Sequence, residues 1–211
     1  MKSTIRNKDK LVNTVFSRVY KKYDLMNDIA SLGIHRIWKN KLIDWMNPQF
    51  NESLIDVASG TGDIAKLFSK KNNNSSQITC VEPNDEMYSV GKSSLKSFKN
   101  IKWHKAKAEK LPFKNDTYNF YTISYGIRNV SDINLSLKEA LRVLRPGGRF
   151  MCLEFSKIDN EMIDLLYQKY SKIIPLVGKY IVGSSEPYNY LIKSINSFHD
   201  QDELKNLIKK N

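Results

Sequence analysis

From about residue 10 the apolar positions recur at helical spacing. Val12, Val15, Phe16, Val19 and Tyr20 fall at i, i+3, i+4, i+7 and i+8, one stripe of a 3.6-residue repeat. A second helix is expected from about Ile34 to Trp45, stopped near Pro48. From residue 53 onward short apolar runs alternate with helical ones. "SLIDVAS", "ITCVEP", "IKWHKAK", "YNFYTISYG" and "RFMCLEF" read as strands. "GDIAKLFSK", "NDEMYSVGKSSLKSF" and "DINLSLKEALRVL" read as helices, "KKNNNSSQ" as a surface loop, "LPFKNDT" and "RPGG" as turns. Five strands alternating with helices imply βαβ units in a parallel, doubly wound sheet. Right-handed crossovers then put helices on both faces. Beyond residue 161 further helices are expected, broken at Pro175 and Pro187.

The length of 211 residues suits one domain. In this reading about 10–46 form a helical cap, 53–156 an α/β core, and 157–211 C-terminal helices.

In open α/β sheets a ligand lies beyond the carboxyl ends of the strands, at the switch point. The first strand ends in "DVASGTGD", where Gly60 and Gly62 let the backbone turn tightly and approach a ligand. The helix that follows presents amide groups and a partial positive charge. About twenty positions on, Glu82 closes the second strand, where a carboxylate accepts hydrogen bonds from ribose hydroxyls. The pattern points to an adenosine-type ligand; a mere tight turn with a solvated Glu82 is the plainer alternative. "GTGDIA" also fits a dinucleotide fingerprint, so NAD competes. Asp63 would repel a pyrophosphate there, while Asp56 and Asp63 suit the cationic groups of S-adenosylmethionine. The fourth strand ends in "TISYGIRNV", offering Arg128 and Asn129 at a carboxyl end.

Charge changes the picture little. The net charge is +12, which favours polyanions, but the lysines are dispersed and read as solvated faces. No nucleic-acid module or arginine-rich patch is visible, so nucleic acid is not expected as a partner. Cys80 and Cys152 lie in apolar runs and read as reduced core thiols in a cytoplasmic protein. Three scattered histidines give no metal-ligand spacing, and no metal is expected. No apolar run reaches the roughly 20 residues of a membrane span, and the N-terminus lacks an apolar signal segment.

Several stretches resemble one family. "YDLMNDIASLGIHRIWK" and "RVLRPGGRFMCLEFS" are similar to the two signatures of the ubiquinone/menaquinone biosynthesis C-methyltransferases. "FSRVYKKYD", "ASGTGDIA", "LPF", "ISYGIRNV" and "SSEPYNYLIKSI" follow that family's order. Departures are Ala30, Ser59, Lys107 and Arg145, where a larger aliphatic residue, a glycine, an asparagine or aspartate, and a lysine are usual. The resemblance implies a Rossmann-like, class I, S-adenosylmethionine-dependent methyltransferase with a mostly parallel sheet and an N-terminal helical cap. Such enzymes usually end in an antiparallel hairpin. Here the sequence stops at "DELKNLIKKN", which reads as a helix, so the hairpin is expected to be missing and the fifth strand to be an uncovered edge.

The same resemblance implies the site residues. Beside Gly60 in the glycine loop, Thr61 would meet the methionine end, Glu82 the ribose, Lys107 and Ala108 the adenine, and Ser124 the cofactor from the fourth strand. For the polyprenylated quinol that the resemblance implies as substrate, the permanent charge of Arg128 is expected to stabilise a phenolate formed on the ring, and Asn129 to orient a second ring oxygen. Arg128 paired with a local acid such as Asp132, fixing only the loop, is the structural alternative. Asn27 and His35 are candidates for touching substrate, and His35 or Asp24 for taking a proton. A polyprenyl substrate implies peripheral contact with a membrane through the N-terminal helix and "YSKIIPLVGKYIV". It also admits a complex with other quinone-biosynthesis enzymes. Other readings are a methyltransferase acting on another small molecule or on RNA, a NAD-dependent oxidoreductase, and a binding-only module.

Overall fold

The computed structural model describes the backbone of residues 2–211, with the side chains of that span except 2–7, 9, 19, 21, 23, 24, 181 and 182. It forms two compact units, Ile37–Glu154 and a second made of Met1–Arg36 with Phe155–Lys210.

The first unit is built on a sheet of five parallel strands: β1 (Leu54–Val57), β2 (Ile78–Val81), β3 (Ile101–His104), β4 (Tyr118–Ser124) and β5 (Leu144–Leu153). Their order is β3-β2-β1-β4-β5, so the chain reverses direction across the sheet between β1 and β4. Every residue of β1 and β2 is buried, as a strand covered on both faces requires. One face holds Leu54, Ile78, Cys80 and Phe120 against helix α3 (Ile34–Met46) and helix α4 (Asp63–Lys71), through Leu42, Ile43, Met46, Ile64, Ala65 and Phe68. On the other face Ile55, Val57, Tyr121 and Ile123 are equally buried. Arg149 reaches back from β5 to donate to the carbonyls of Trp45 and Met46 at the end of α3, and its guanidinium lies over the Phe120 ring at 4.6 Å. Helix α5 (Asp85–Ser94) starts on Asn84, whose side chain accepts from the Met87 amide, and α6 (Ile133–Val143) starts on Asp132 in the same way. Cys80 and Cys152 are free thiols.

"RPGG" is not a clean turn before the last strand. β5 runs through it, with the register jumping from the pair Tyr118–Leu144 to the pair Phe120–Arg149. The chain bulges out at Gly147, in the left-handed region, and rejoins β4. β5 is an edge strand, and Met151 and Leu153 still pack on the core. Among the described residues no strand follows it.

The second unit is helical. Helix α1 (Lys2–Val19) begins earlier than the apolar stripe alone indicates, and α2 (Tyr23–Ser31) follows after one 3-10 turn. Leu32 and Gly33, both left-handed, turn the chain into α3. Asp28 takes two hydrogen bonds from Arg36, each 2.7 Å, and the Arg36 guanidinium holds its carboxyl far below the usual range.

Helix α7 (Glu161–Val182) is 22 residues long and contains Pro175. Proline removes one backbone hydrogen bond and was expected to end the helix. Packing carries the helix through instead: Ile174 is buried on one side of Pro175, and on the other a side chain at Gly178 would strike the Tyr188 ring at 2.2 Å. Pro187 does act as punctuation, in the first turn of α8 (Glu186–Asn196). Helix α9 (Gln201–Lys210) follows.

Candidate active site

The carboxyl ends of β1, β2 and β4 carry the chemistry. After β1 the backbone is left-handed at Ala58, Gly60 and Gly62. Gly62 has no alternative: at φ +88 an added Cβ would also lie 2.6 Å from the Leu95 side chain. Thr61 is half-buried between the glycines. Ser59 stitches the loop to β2. Its hydroxyl donates to the Asp56 carbonyl at 2.6 Å and accepts from the Val81 amide at 3.0 Å.

Glu82 is buried, and both its oxygens face amides. Gly60 N–H donates to Oε2 and Asn84 N–H to Oε1, each at 2.9 Å. Burial dominates over these bonds and pushes its carboxyl up to about 7. Asp56 accepts from the Thr122 hydroxyl at 2.8 Å through Oδ1, while its buried Oδ2 has no partner. Burial raises it to about 7 as well, against the pull of Lys39. Ser124 ends β4 with a buried hydroxyl that has no partner. Ala108 is buried beyond the end of β3, and Lys107 beside it is exposed.

After β4 the chain makes a second strained turn. Tyr125 is left-handed at φ 56, uncommon for a bulky residue. Gly126 follows, where a Cβ would sit 2.6 Å from the Ala58 Cβ. That contact puts the 125–129 loop directly against the glycine loop. Positive φ at both Ala58 and Tyr125 marks the two strand ends flanking the switch point, where backbone strain gathers at functional sites.

Arg128 is not paired with Asp132, which caps α6. It is buried against Glu154 at the end of β5: its Nη1 donates to Glu154 Oε1 and, at 2.9 Å, to the Tyr125 carbonyl, and its amide donates to Glu154 Oε2 at 3.3 Å. The two side chains are 3% and 2% exposed. Asn129 Nδ2 donates to the same Tyr125 carbonyl at 3.3 Å. The two residues expected to face a ligand therefore also hold their own loop together.

The chain belongs to the ubiE/COQ5 methyltransferase family. That family's model matches residues 4–211. The chain is 49% identical to the ubiquinone/menaquinone biosynthesis C-methyltransferase UbiE of Rickettsia massiliae, covering 96% of this chain and 84% of the relative. To the same-named protein of Rickettsia bellii it is 48% identical over the same shares. The fold is that of solved S-adenosylmethionine-dependent methyltransferases. The one from Thermotoga maritima has TM-score 0.61 and 21% identity, over 93% of this chain and 79% of that one. The one from Aquifex aeolicus has TM-score 0.57 and 16% identity, over 72% and 85%.

The family's cofactor can be tested against the site. S-adenosylmethionine presents hydroxyls, an ammonium and a carboxylate. The unpartnered Asp56 Oδ2 and Ser124 hydroxyl, and the spare lone pairs of Glu82, fit such a ligand. Asp63 does not present a bare negative charge beside the glycine loop, because Lys39 Nζ donates to its Oδ2 at 2.8 Å.

Two participants escaped the sequence reading, Lys39 and Glu154. The signal for Lys39 was there: it shares a helix face with His35, Leu42 and Met46, all buried. Glu154 closes the run "RFMCLE", and nothing in that strand says its carboxylate meets Arg128. The remaining candidates lie in the helical unit. His35 is buried with Nε2 2.9 Å from Asp28 Oδ1, and Asn27 is buried with neither amide atom partnered. The side chain of Asp24 lies outside the described residues.

Proposed function

We propose that this chain transfers a methyl group from S-adenosylmethionine to a ring carbon of a polyprenylated benzoquinol or naphthoquinol. The observation that supports the reading is the close approach of Gly126 to Ala58, which brings the loop after β4 against the loop the cofactor would use. Family membership and the relatives' names, which speak of ubiquinone and menaquinone biosynthesis, supply the substrate class. When bound, the cofactor supplies an electrophilic methyl group on a sulfonium. Glu82 would take the ribose hydroxyls, Gly60 and Thr61 would border the methionine end, and Ser124 would offer its hydroxyl. Lys107 and Ala108 would flank the adenine.

A quinol carbon becomes nucleophilic when the neighbouring hydroxyl ionises, and a phenol has a pKa near 10. Something must therefore stabilise the oxygen's charge at neutral pH. Arg128 is permanently cationic, and Glu154 fixes its position. It holds positive charge where the phenolate develops, directly or through a water. Asn129, one residue on, orients the second ring oxygen.

The prenyl tail brings the bilayer into the reading. Among the described residues no helix is long and apolar enough to cross a membrane. Helix α7, however, leaves Met162, Leu165, Leu166, Ile173, Leu176 and Tyr180 exposed, Tyr180 by 93%. At helical spacing these six share one stripe, with Lys169 in it and Lys172 and Lys179 along one flank. We assign this stripe to peripheral contact with an anionic lipid surface. Assembly with other quinone-pathway enzymes ranks second to it.

The test is transfer of a labelled methyl group to short-chain benzoquinol and naphthoquinol. A ring-methylated product from either is expected. Transfer to neither, by protein that binds S-adenosylhomocysteine, would overturn the assignment.

A further inference from the structure

Lys39 stands at the centre of a polar cluster that the site residues above leave unexplained. It projects from α3 and is 6% exposed. Lysine is almost never buried unless paired. Its partner Asp63, bonded at 2.8 Å, has a side chain 40% exposed. The ion pair thus sits with its lysine inside and its carboxylate opening outward, at the first residue of α4. Three carboxylates surround the glycine loop: Asp56 below it, Asp63 after it, and Glu82 across from it. Lys39 brings a cation to that rim, close enough to Asp56 and Asp63 for all three charges to act on one another. Asp56 adds a second, independent sign of a ligand, a buried carboxylate oxygen with no partner.

These groups match one chemical class. An amino-acid zwitterion needs an anion for its ammonium and a cation for its carboxylate. Glu82 occupies the ribose pole, so the zwitterion lies toward the opposite pole. We propose that Lys39 binds the α-carboxylate of the cofactor's amino-acid end, while Asp56 and Asp63 receive its ammonium. An ammonium has three N–H donors, and Asp63 takes one. The inference rests on the cofactor reading above, and it names Lys39 as the residue that discriminates an amino-acid-bearing nucleoside from one without.

Calorimetric titration tests it with two ligands that share the nucleoside. S-adenosylhomocysteine carries the zwitterion; 5′-methylthioadenosine lacks it. In Lys39→Met the affinity for S-adenosylhomocysteine should fall by about ten- to a hundredfold, the scale of one charge-assisted hydrogen bond. That for methylthioadenosine should hold. Lys39→Arg should keep most of the preference. The ratio of the two affinities within one variant is unaffected by any general loss of folded protein. In the double variant Lys39→Met/Asp63→Asn the ratio should stay low. A ratio restored there would mean that Lys39 merely neutralises Asp63, and equal weakening of both ligands would mean a structural role; either result overturns the proposal. A wild-type chain that binds neither ligand overturns the cofactor reading itself.

Discussion

Substituting Gly126 by alanine tests whether the two strand-end loops are built as one object. The backbone there is ordinary, at φ −111 and ψ −31, so alanine meets no conformational penalty. Removing a glycine at such a position would by itself add about 0.4–1 kcal/mol. Sterics decide the outcome. The new methyl would lie 2.6 Å from the Ala58 Cβ and 3.2 Å from Ile123 Cγ1, where carbon atoms rest at about 3.5–4.0 Å. The loops must part by about 1 Å. Overpacking of this kind costs about 1–3 kcal/mol, leaving a net loss of about 1–2. At about 2–4 °C per kcal/mol for a chain this size, the melting temperature should fall by about 2–8 °C. The functional cost should be larger: a shift of about 1 Å away from the chemistry loses roughly a hundredfold in rate. The rescue is specific. Ala58→Gly deletes the obstructing Cβ at a residue with φ 53, which glycine adopts freely. The double variant Ala58→Gly/Gly126→Ala should recover both stability and turnover. Thermal melts followed by circular dichroism, with methyl transfer measured alongside, decide it. A single variant as stable and active as wild type, or a double variant no better than the single, would refute the coupling.

The remaining expectations concern charge. Arg128→Lys should lower turnover tenfold to a thousandfold with S-adenosylhomocysteine affinity unchanged; full turnover, or lost cofactor binding, would remove Arg128 from the chemistry. Arg128→Ala should also destabilise by about 3–5 kcal/mol, because the buried Glu154 carboxylate loses the guanidinium that balances its charge, and adding Glu154→Gln should recover much of that in a denaturant melt. Burial pushes Asp56 and Glu82 up to about 7, above their unfolded values, so the folded protein gains stability from them at low pH and loses it as pH rises from about 4 through about 7. A ligand that needs both groups ionised should bind more tightly at pH 8 than at pH 6 and release protons, read from calorimetry in buffers of different ionisation enthalpy; a flat profile would contradict the assignment. Replacing Leu166, Ile173 and Leu176 by serine should reduce sedimentation with anionic vesicles without changing transfer to a soluble short-chain quinol, and unaltered, salt-independent sedimentation would exclude α7.

Much of the core was legible because it follows from alternation alone. A four-residue strand buried on both faces is mostly apolar, and "LIDV" and "ITCV", with one polar residue each, announce themselves. The glycine loop and Glu82 were legible for a related reason: strand ends and glycines mark where a backbone can approach a ligand. What stayed hidden is what depends on tertiary partners. "RNVSD" offers Arg128 a neighbouring acid in Asp132, but the helix start claims Asp132 for its own amides, and the arginine turns to Glu154, 26 positions away. Pro175 reads as a helix stop because sequence shows the lost hydrogen bond and not the packing of Ile174 and Gly178 on either side. Lys39 does not stand out because a lysine in a helix is normally solvated; its place on the buried stripe is what sets it apart.

Glu82 has a consequence for how fast a ligand is captured. Its two oxygens hold the amides of Gly60 and Asn84. A carboxylate has about four lone-pair positions, so two remain for a ribose diol and neither amide has to be released to accommodate it. The glycine loop is thus preorganised rather than moulded around its guest. Little ordering entropy is left to lose on binding, and association should run near the rate set by diffusion and orientation. Differences in affinity among nucleosides would then reside almost entirely in how slowly each one leaves.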